Sequence, residues 1–166
     1  MDNLCIKGRV LRFGDNINTD MINPAQYMEL SMDDMIAHAM EGADPDFSKK
    51  VRPGDIMVAG KNFGSGSSRE TAPVIIRGSG ISLIIAEFYA RIFYRNAINI
   101  GLNVLTCDAV DEIRDGDQLA VYPSSGLIKN LTTGKEYSCP PLPEHILELV
   151  NDGGLLEHLD TKLNQA

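Results

Sequence analysis

A chain of 166 residues with 43% hydrophobic content is long enough to fold as one compact domain around an ordinary core. Fifteen Lys and Arg against 23 Asp and Glu leave a net charge of -8, and no basic cluster interrupts the sequence, which excludes nucleic acid as the main partner. The opening MDNLCIKGRV lacks the basic start and apolar run of a signal peptide, and no stretch approaches the roughly 20 apolar residues of a membrane span, so a cytoplasmic protein is expected.

Residues 6–13 have strand composition and stop at Gly14-Asp15-Asn16, a turn signal, after which a loop runs to Leu30. Ser31-Met32-Asp33-Asp34 reads as a capping box. Met32, Met35, Ile36, Ala39 and Met40 follow at one-sided helical spacing up to Gly42, which makes this methionine stripe core packing rather than a cofactor site. Residues 44–54 form a connection. Strand 56–59, helix 69–77, strand 81–86, helix 89–98 and strand 104–107 then alternate, and two such crossovers predict an α/β core with parallel strands. Segments 118–122, 127–131 and 135–139 are short strands joined by turns, expected as antiparallel hairpins on the same mixed sheet. Pro143 opens a last helix and Gly153-Gly154 ends it, with Ile146, Leu149 and Val150 on one face.

Three cysteines, Cys5, Cys107 and Cys139, are too scattered for a disulfide framework or a metal centre and read as reduced thiols. His38, His145 and His158 fall in helical patterns without a second ligand type at useful spacing, so they read as surface or partly buried residues. No metal ligands are expected in this chain.

Residues 60–70, GKNFGSGSSRE, lie where a strand ends and a helix begins, at the carboxyl edge that holds ligands in α/β sheets. Gly64 and Gly66 let the backbone approach a ligand, and the helix start offers unpaired N–H groups to an anion. Arg69 adds a fork suited to a carboxylate or phosphate, and Ser67 and Ser68 add hydroxyls. Ser67 with Glu70 could equally form a capping box, but Pro73 pulls the helix start toward Arg69 or Glu70 and leaves both serines in the loop. No Lys follows the second glycine, so the phosphate loop of nucleotide triphosphatases does not fit. The dinucleotide fingerprint matches at Gly64 and Gly66, with Glu87 at a suitable distance, but has Arg69 where its third glycine belongs. A non-catalytic anion- or dinucleotide-binding domain therefore stays open as an alternative.

GKNFGSGSSRE, the following stretch from Phe88 to Gly101 (FYARIFYRNAINIG) and the preceding Gly14 to Asp20 (GDNINTD) together resemble the small subunits of 3-isopropylmalate dehydratase and homoaconitase, in the aconitase superfamily. The resemblance covers nearly the whole chain, including Asp44-Pro45-Asp46-Phe47 and Gly153-Gly154-Leu155. It implies one swivelling β/β/α domain over residues 1–166, with a flexible substrate loop at about residues 21–31. It also implies a hydro-lyase that dehydrates a hydroxy acid and rehydrates it in the other sense. The 4Fe-4S cluster would belong to a separate large subunit, joined in a heterodimer or heterotetramer, and this chain alone would be inactive. Carried over by position, Ser67 would be the base, acting as an alkoxide. Ser68 and Arg69 would hold a substrate carboxylate, and Asp20 would support the site.

In this family the loop that reads the substrate has a Tyr-Leu-Arg-Thr pattern in homoaconitase and an apolar Tyr-Leu-Val-Met pattern with isopropylmalate. Here it is Tyr27-Met28-Glu29-Leu30. Glu29 at the arginine position would repel a distal carboxylate and Leu30 would favour an alkyl group, although a glutamate that simply faces solvent is an equal alternative. The leading expectation is 3-isopropylmalate dehydratase, in leucine biosynthesis. Homoaconitase and 2,3-dimethylmalate dehydratase remain alternatives.

Overall fold

The structure is a computed structural model and describes residues 4–165. Strand β1 (Ile6–Arg12) runs parallel to β2 (Ile56–Val58) on one side and antiparallel to β5 (Gln118–Tyr122) on the other. With β3 (Leu83–Ala86), β4 (Asn103–Thr106), β6 (Leu127–Asn130) and β7 (Glu136–Ser138) it forms a seven-stranded sheet in the order β4-β3-β2-β1-β5-β6-β7. The expected mixed sheet, with parallel strands in the core and antiparallel hairpins beyond them, is what forms.

The pleat decides where the apolar residues go. Leu11, Met57, Ile84 and Val104 stand in register across the four parallel strands and face one cluster of the core. Their neighbours Val10, Ile56, Leu83, Val58, Ile85 and Leu105 face the other. Parallel strands buried on both faces read as continuous apolar runs, which is how 81–86 looks in the sequence. Helices cover the first face: α2 (Met32–Ala37) through Met35, α4 (Thr71–Gly78) through Ile75 and Ile76, and α5 (Arg91–Asn99) through Phe93 and Ala97. The second face is closed by Leu119, Val121, Ile128 and Tyr137 of the antiparallel strands, so the layers are β/β/α.

Several boundaries differ from the pattern in the sequence. The loop before residue 30 contains α1 (Thr19–Ile22) and a 3-10 turn at Ala25–Tyr27, and the connection 44–54 contains α3 (Phe47–Lys50). Ser31 does cap α2, its hydroxyl accepting from Asp34 N at 3.2 Å. The helix nevertheless stops at Ala37, because the chain reverses at Met40, whose φ is 61°, to pack on α1. Met40 N donates to Ile22 O at 2.9 Å, and Gly42 passes so close that a Cβ there would lie 2.5 Å from Met21 Cα. The methionine stripe is core except at its first member, since Met32 is exposed. Helix α6 (Glu144–Asn151) begins after Pro143 and packs Val150 into the core. Gly153-Gly154 follows the end of α6 as expected, but α6 is not the last helix: α7 (Leu155–Asn164) comes after it.

Cys107 and Cys139 are buried and free, and Cys5 is half-buried. Burial raises the Cys107 thiol and pushes Cys139 up to about 11, and Cys139 Sγ donates to Gly126 O at 3.1 Å. Since the thiolate is the reactive form, an alkylating reagent at about pH 8 should label Cys5 and spare the other two until the protein unfolds. Peptide mapping by mass spectrometry checks this, and native labelling of Cys139 as fast as Cys5 would contradict it.

Candidate active site

Three loops at the carboxyl ends of parallel strands converge on residues 60–70. The loops after β1 and β2 run side by side: Gly60 N donates to Gly14 O at 3.1 Å, Asn16 N to Lys61 O at 2.8 Å, Gly64 N to Ile17 O at 2.7 Å and Thr19 N to Ser65 O at 2.8 Å. On the other flank, Phe63 N donates to Phe88 O at 3.1 Å and Ala90 N to Phe63 O at 2.8 Å, which ties in the loop after β3. This is the edge at which α/β sheets hold ligands.

The capping-box reading of Ser67 does not hold. Helix α4 starts at Thr71 with Glu70 as its N-cap, and no side chain caps it. Pro73 then falls in the first turn, where its missing N–H is tolerated. Ser67 and Ser68 therefore lie in the loop, exposed, and Arg69 is half-buried. The backbone around Ser67 is nonetheless held: its carbonyl accepts from Arg69 N at 2.8 Å and from Thr19 Oγ1 at 3.1 Å. Its own Oγ lies 3.4 Å from Thr19 Oγ1. Among the described residues that hydroxyl has no hydrogen-bonding imidazole or carboxylate, so basicity at Ser67 would have to come from the surrounding charge.

A cavity of about 310 Å³ opens between this loop and the start of α5. Thr19, Gly64, Gly66, Ser67, Ser68 and Arg69 line one wall, and Ala90, Arg91, Phe93 and Asn96 line much of the other. The first turn of α4 offers fewer donors than its position suggests, as Pro73 has none and Ala72 N is taken up by Arg69 O at 3.2 Å. The helix end facing the cavity belongs to α5, whose first residue, Arg91, is exposed there. Its partial positive charge and the Arg91 guanidinium suit an anion. Arg91, Phe93 and Asn96 were missed as site residues in the sequence. They sit in the FYARIFYRN stretch, which the bridge between Phe63 and Tyr89 and the packing of Phe93 on Phe63 bring against the loop.

Arg69 is turned toward the neighbouring loop. Its Nη1 donates to Asn23 O at 2.7 Å and Thr19 O at 3.3 Å, and it pairs with Asp20 Oδ1 at 3.4 Å. Asp20 also accepts from Ala25 N at 3.2 Å. Asp20 thus reaches the site through Arg69 rather than by lining the cavity. Tyr27, Glu29 and Leu30 do not line it either. Tyr27 is stacked on His38 instead, while Glu29 and Leu30 are exposed.

Among the described residues no cluster of three His, Cys, Asp or Glu could hold a metal, and no helix is long and apolar enough to cross a membrane. The donor set does not fit an iron–sulfur centre: the two buried thiols are protonated at neutral pH and line no part of the cavity.

Residues 8–109 match the aconitase C-terminal domain family. The chain is 52% identical over 163 residues to the isopropylmalate/citramalate isomerase small subunit of Methanocaldococcus jannaschii, covering 97% of both proteins. It is 53% identical over 154 residues to a methanogen homoaconitase small subunit of Methanothermobacter thermautotrophicus, covering 92% of this chain and 89% of that one. A crystal structure of 3-isopropylmalate dehydratase from Methanocaldococcus jannaschii superposes with a TM-score of 0.92 at 41% identity, covering 98% of each chain.

Proposed function

The chain belongs to the aconitase C-terminal domain family, among the small subunits of 3-isopropylmalate dehydratases and related isomerases, and from that membership we propose that it supplies half of a hydro-lyase active site. The observation that carries this reading is the cavity itself, which joins an exposed serine and two arginines to a helix N-terminus but has no metal ligands among the described residues. The other half, a 4Fe-4S cluster that assists departure of the hydroxyl group, belongs to a large subunit in a heterodimer or heterotetramer. The chain acts as one swivel unit in the cytoplasm.

The reaction proposed is removal of water from an alkyl-malate and its re-addition in the opposite sense. The hydrogen to be removed sits on carbon next to a carboxylate and is weakly acidic, so a strong base is needed and the charge that develops on the carboxylate must be stabilised. Ser67 Oγ takes that proton. Arg91 and the α5 N-terminus lower the cost of the serine alkoxide, as positive charge does for any anion. Ser68 and the Arg69 fork hold the carboxylate while its charge grows, and Asp20 steadies Arg69.

Of the substrates open to this family, 3-isopropylmalate is favoured, which places the enzyme in leucine biosynthesis. The reason is Glu29, an acid where a tricarboxylate would need a cation. Relatives of nearly equal identity carry both isopropylmalate and homoaconitase names, so this loop is where the choice is tested. Assayed with the cognate large subunit on 3-isopropylmalate, citramalate, 2,3-dimethylmalate and homoaconitate, the wild type should prefer an alkyl substrate. Glu29→Arg should shift the kcat/KM ratio toward homoaconitate by about tenfold, the effect of one exposed carboxylate–guanidinium contact in place of a repulsion. An unchanged ratio would remove Glu29 from substrate choice, and preference of the wild type for homoaconitate would overturn the isopropylmalate reading.

A further inference from the structure

Residues 21–31 are tied to the site at one end and to α2 at the other. At the first end, Asn23 O accepts from Arg69 Nη1 at 2.7 Å and Asn23 Nδ2 donates to Thr71 Oγ1 at 2.9 Å. At the second, Ser31 caps α2. Between these ties, the Tyr27 ring lies flat on the His38 imidazole, with centroids 3.9 Å apart and planes within 7°. His38 Nδ1 is 2.9 Å from Glu41 Oε1, which fixes the imidazole in plane. The Glu41 carboxylate also faces Tyr27 and raises its hydroxyl pKa, while His38 and then Tyr27 hold the Glu41 carboxyl below its ordinary value.

This stack is not core packing. Tyr27, His38 and Glu41 are only partly buried, and none joins either core cluster. Met28 and Leu30, on either side of Glu29, are left 44% and 41% exposed. With Tyr27 on His38, residues 27–30 lie clear of the cavity wall.

We propose that His38, held in plane by Glu41, is a positioning residue that sets the conformation of the 21–31 loop through Tyr27 and so tunes which substrates the loop accepts. The proposal rests on the functional reading above for its substrate part, but not for the latch itself. A surface stack between two rings is weak enough to open during turnover and strong enough to bias the loop. His38 does not line the cavity, and its ring partners among the described residues are Tyr27 and Glu41, so it acts on the loop through Tyr27.

Two measurements on the full chain and its complex test this. Amide hydrogen exchange of the isolated chain should quicken about three- to tenfold across residues 25–31 in His38→Ala, with the sheet unaffected, as expected for loss of one aromatic pair. His38→Phe, which keeps a flat ring but not the Glu41 bond, should recover most of that protection. In the complex, His38→Ala should change the alkyl-malate to homoaconitate ratio of kcat/KM by a similar factor, acting on KM more than on kcat. Unchanged exchange in His38→Ala would overturn the latch. Faster exchange with an unchanged substrate ratio would overturn the tuning role. If the wild-type complex turns over none of these acids, the functional reading fails, while the exchange data still decide the latch.

Discussion

Replacing Ser67 by alanine is expected to lower kcat of the assembled enzyme by about 10²- to 10⁴-fold, the range for losing a general base, with KM changed only a few-fold. The variant should fold, because the bonds that shape the loop end on the Ser67 carbonyl and not on its hydroxyl. Arg69 N and Thr19 Oγ1 both donate to that carbonyl. What is removed is an oxygen whose close neighbour is the Thr19 hydroxyl at 3.4 Å. Steady-state kinetics with a thermal melt in parallel checks this. A variant with normal melting and undiminished kcat would show that the proton goes elsewhere.

Gly64→Ala should damage the site by geometry alone. Gly64 has φ of 82°, which an L-residue adopts only with strain, and a Cβ there would fall 2.3 Å from Phe93 Cγ. Phe93 cannot retreat. It packs at 72° against Phe63, with centroids 5.2 Å apart, and stacks on Tyr89, whose single hydroxyl proton lies between Leu105 O at 2.7 Å and Ile84 O at 2.9 Å. Backbone strain and overpacking together should cost about 2–5 kcal/mol. For a chain of this length that lowers the melting midpoint by roughly 5–15 °C. Activity should fall with it, since the displaced backbone carries Ser67. Gly14→Ala is the control, because a Cβ at Gly14 would meet nothing within 4 Å, and differential scanning calorimetry should show no shift. Equal melting of the two variants would refute the wedge of Phe93 under the loop.

The parallel core was legible because strands buried on both faces leave unbroken apolar runs, as in Leu83–Ala86, between helices short enough to recognise. Ser67 could be placed outside the helix from Pro73 alone, a local steric rule that the fold obeys. Features set by contacts distant in the chain were not legible. Helix α2 should have continued to Met40 by periodicity, but the turn there is fixed by α1, through Ile22 O and Met21. The α5 wall of the cavity, with Arg91 and Asn96, depends on pairing of Phe63 with Tyr89, which neither segment announces. His38 reads as an ordinary surface residue until Tyr27 is seen on its ring. Helix α7 is a different matter. Leu155, Leu156, Leu159 and Leu163 recur at helical spacing, but the paired glycines before them look like an end, and their φ values of 97° and 127° instead make a sharp joint between two helices.

A site divided between two chains is tested most directly by anaerobic turnover of 3-isopropylmalate by this chain alone, by its cognate large subunit alone, and by the two combined. Activity in the mixture only, lost when the small subunit carries Ser67→Ala, is the predicted result. Turnover by this chain alone, or by the large subunit alone at the rate of the mixture, would contradict a shared active site.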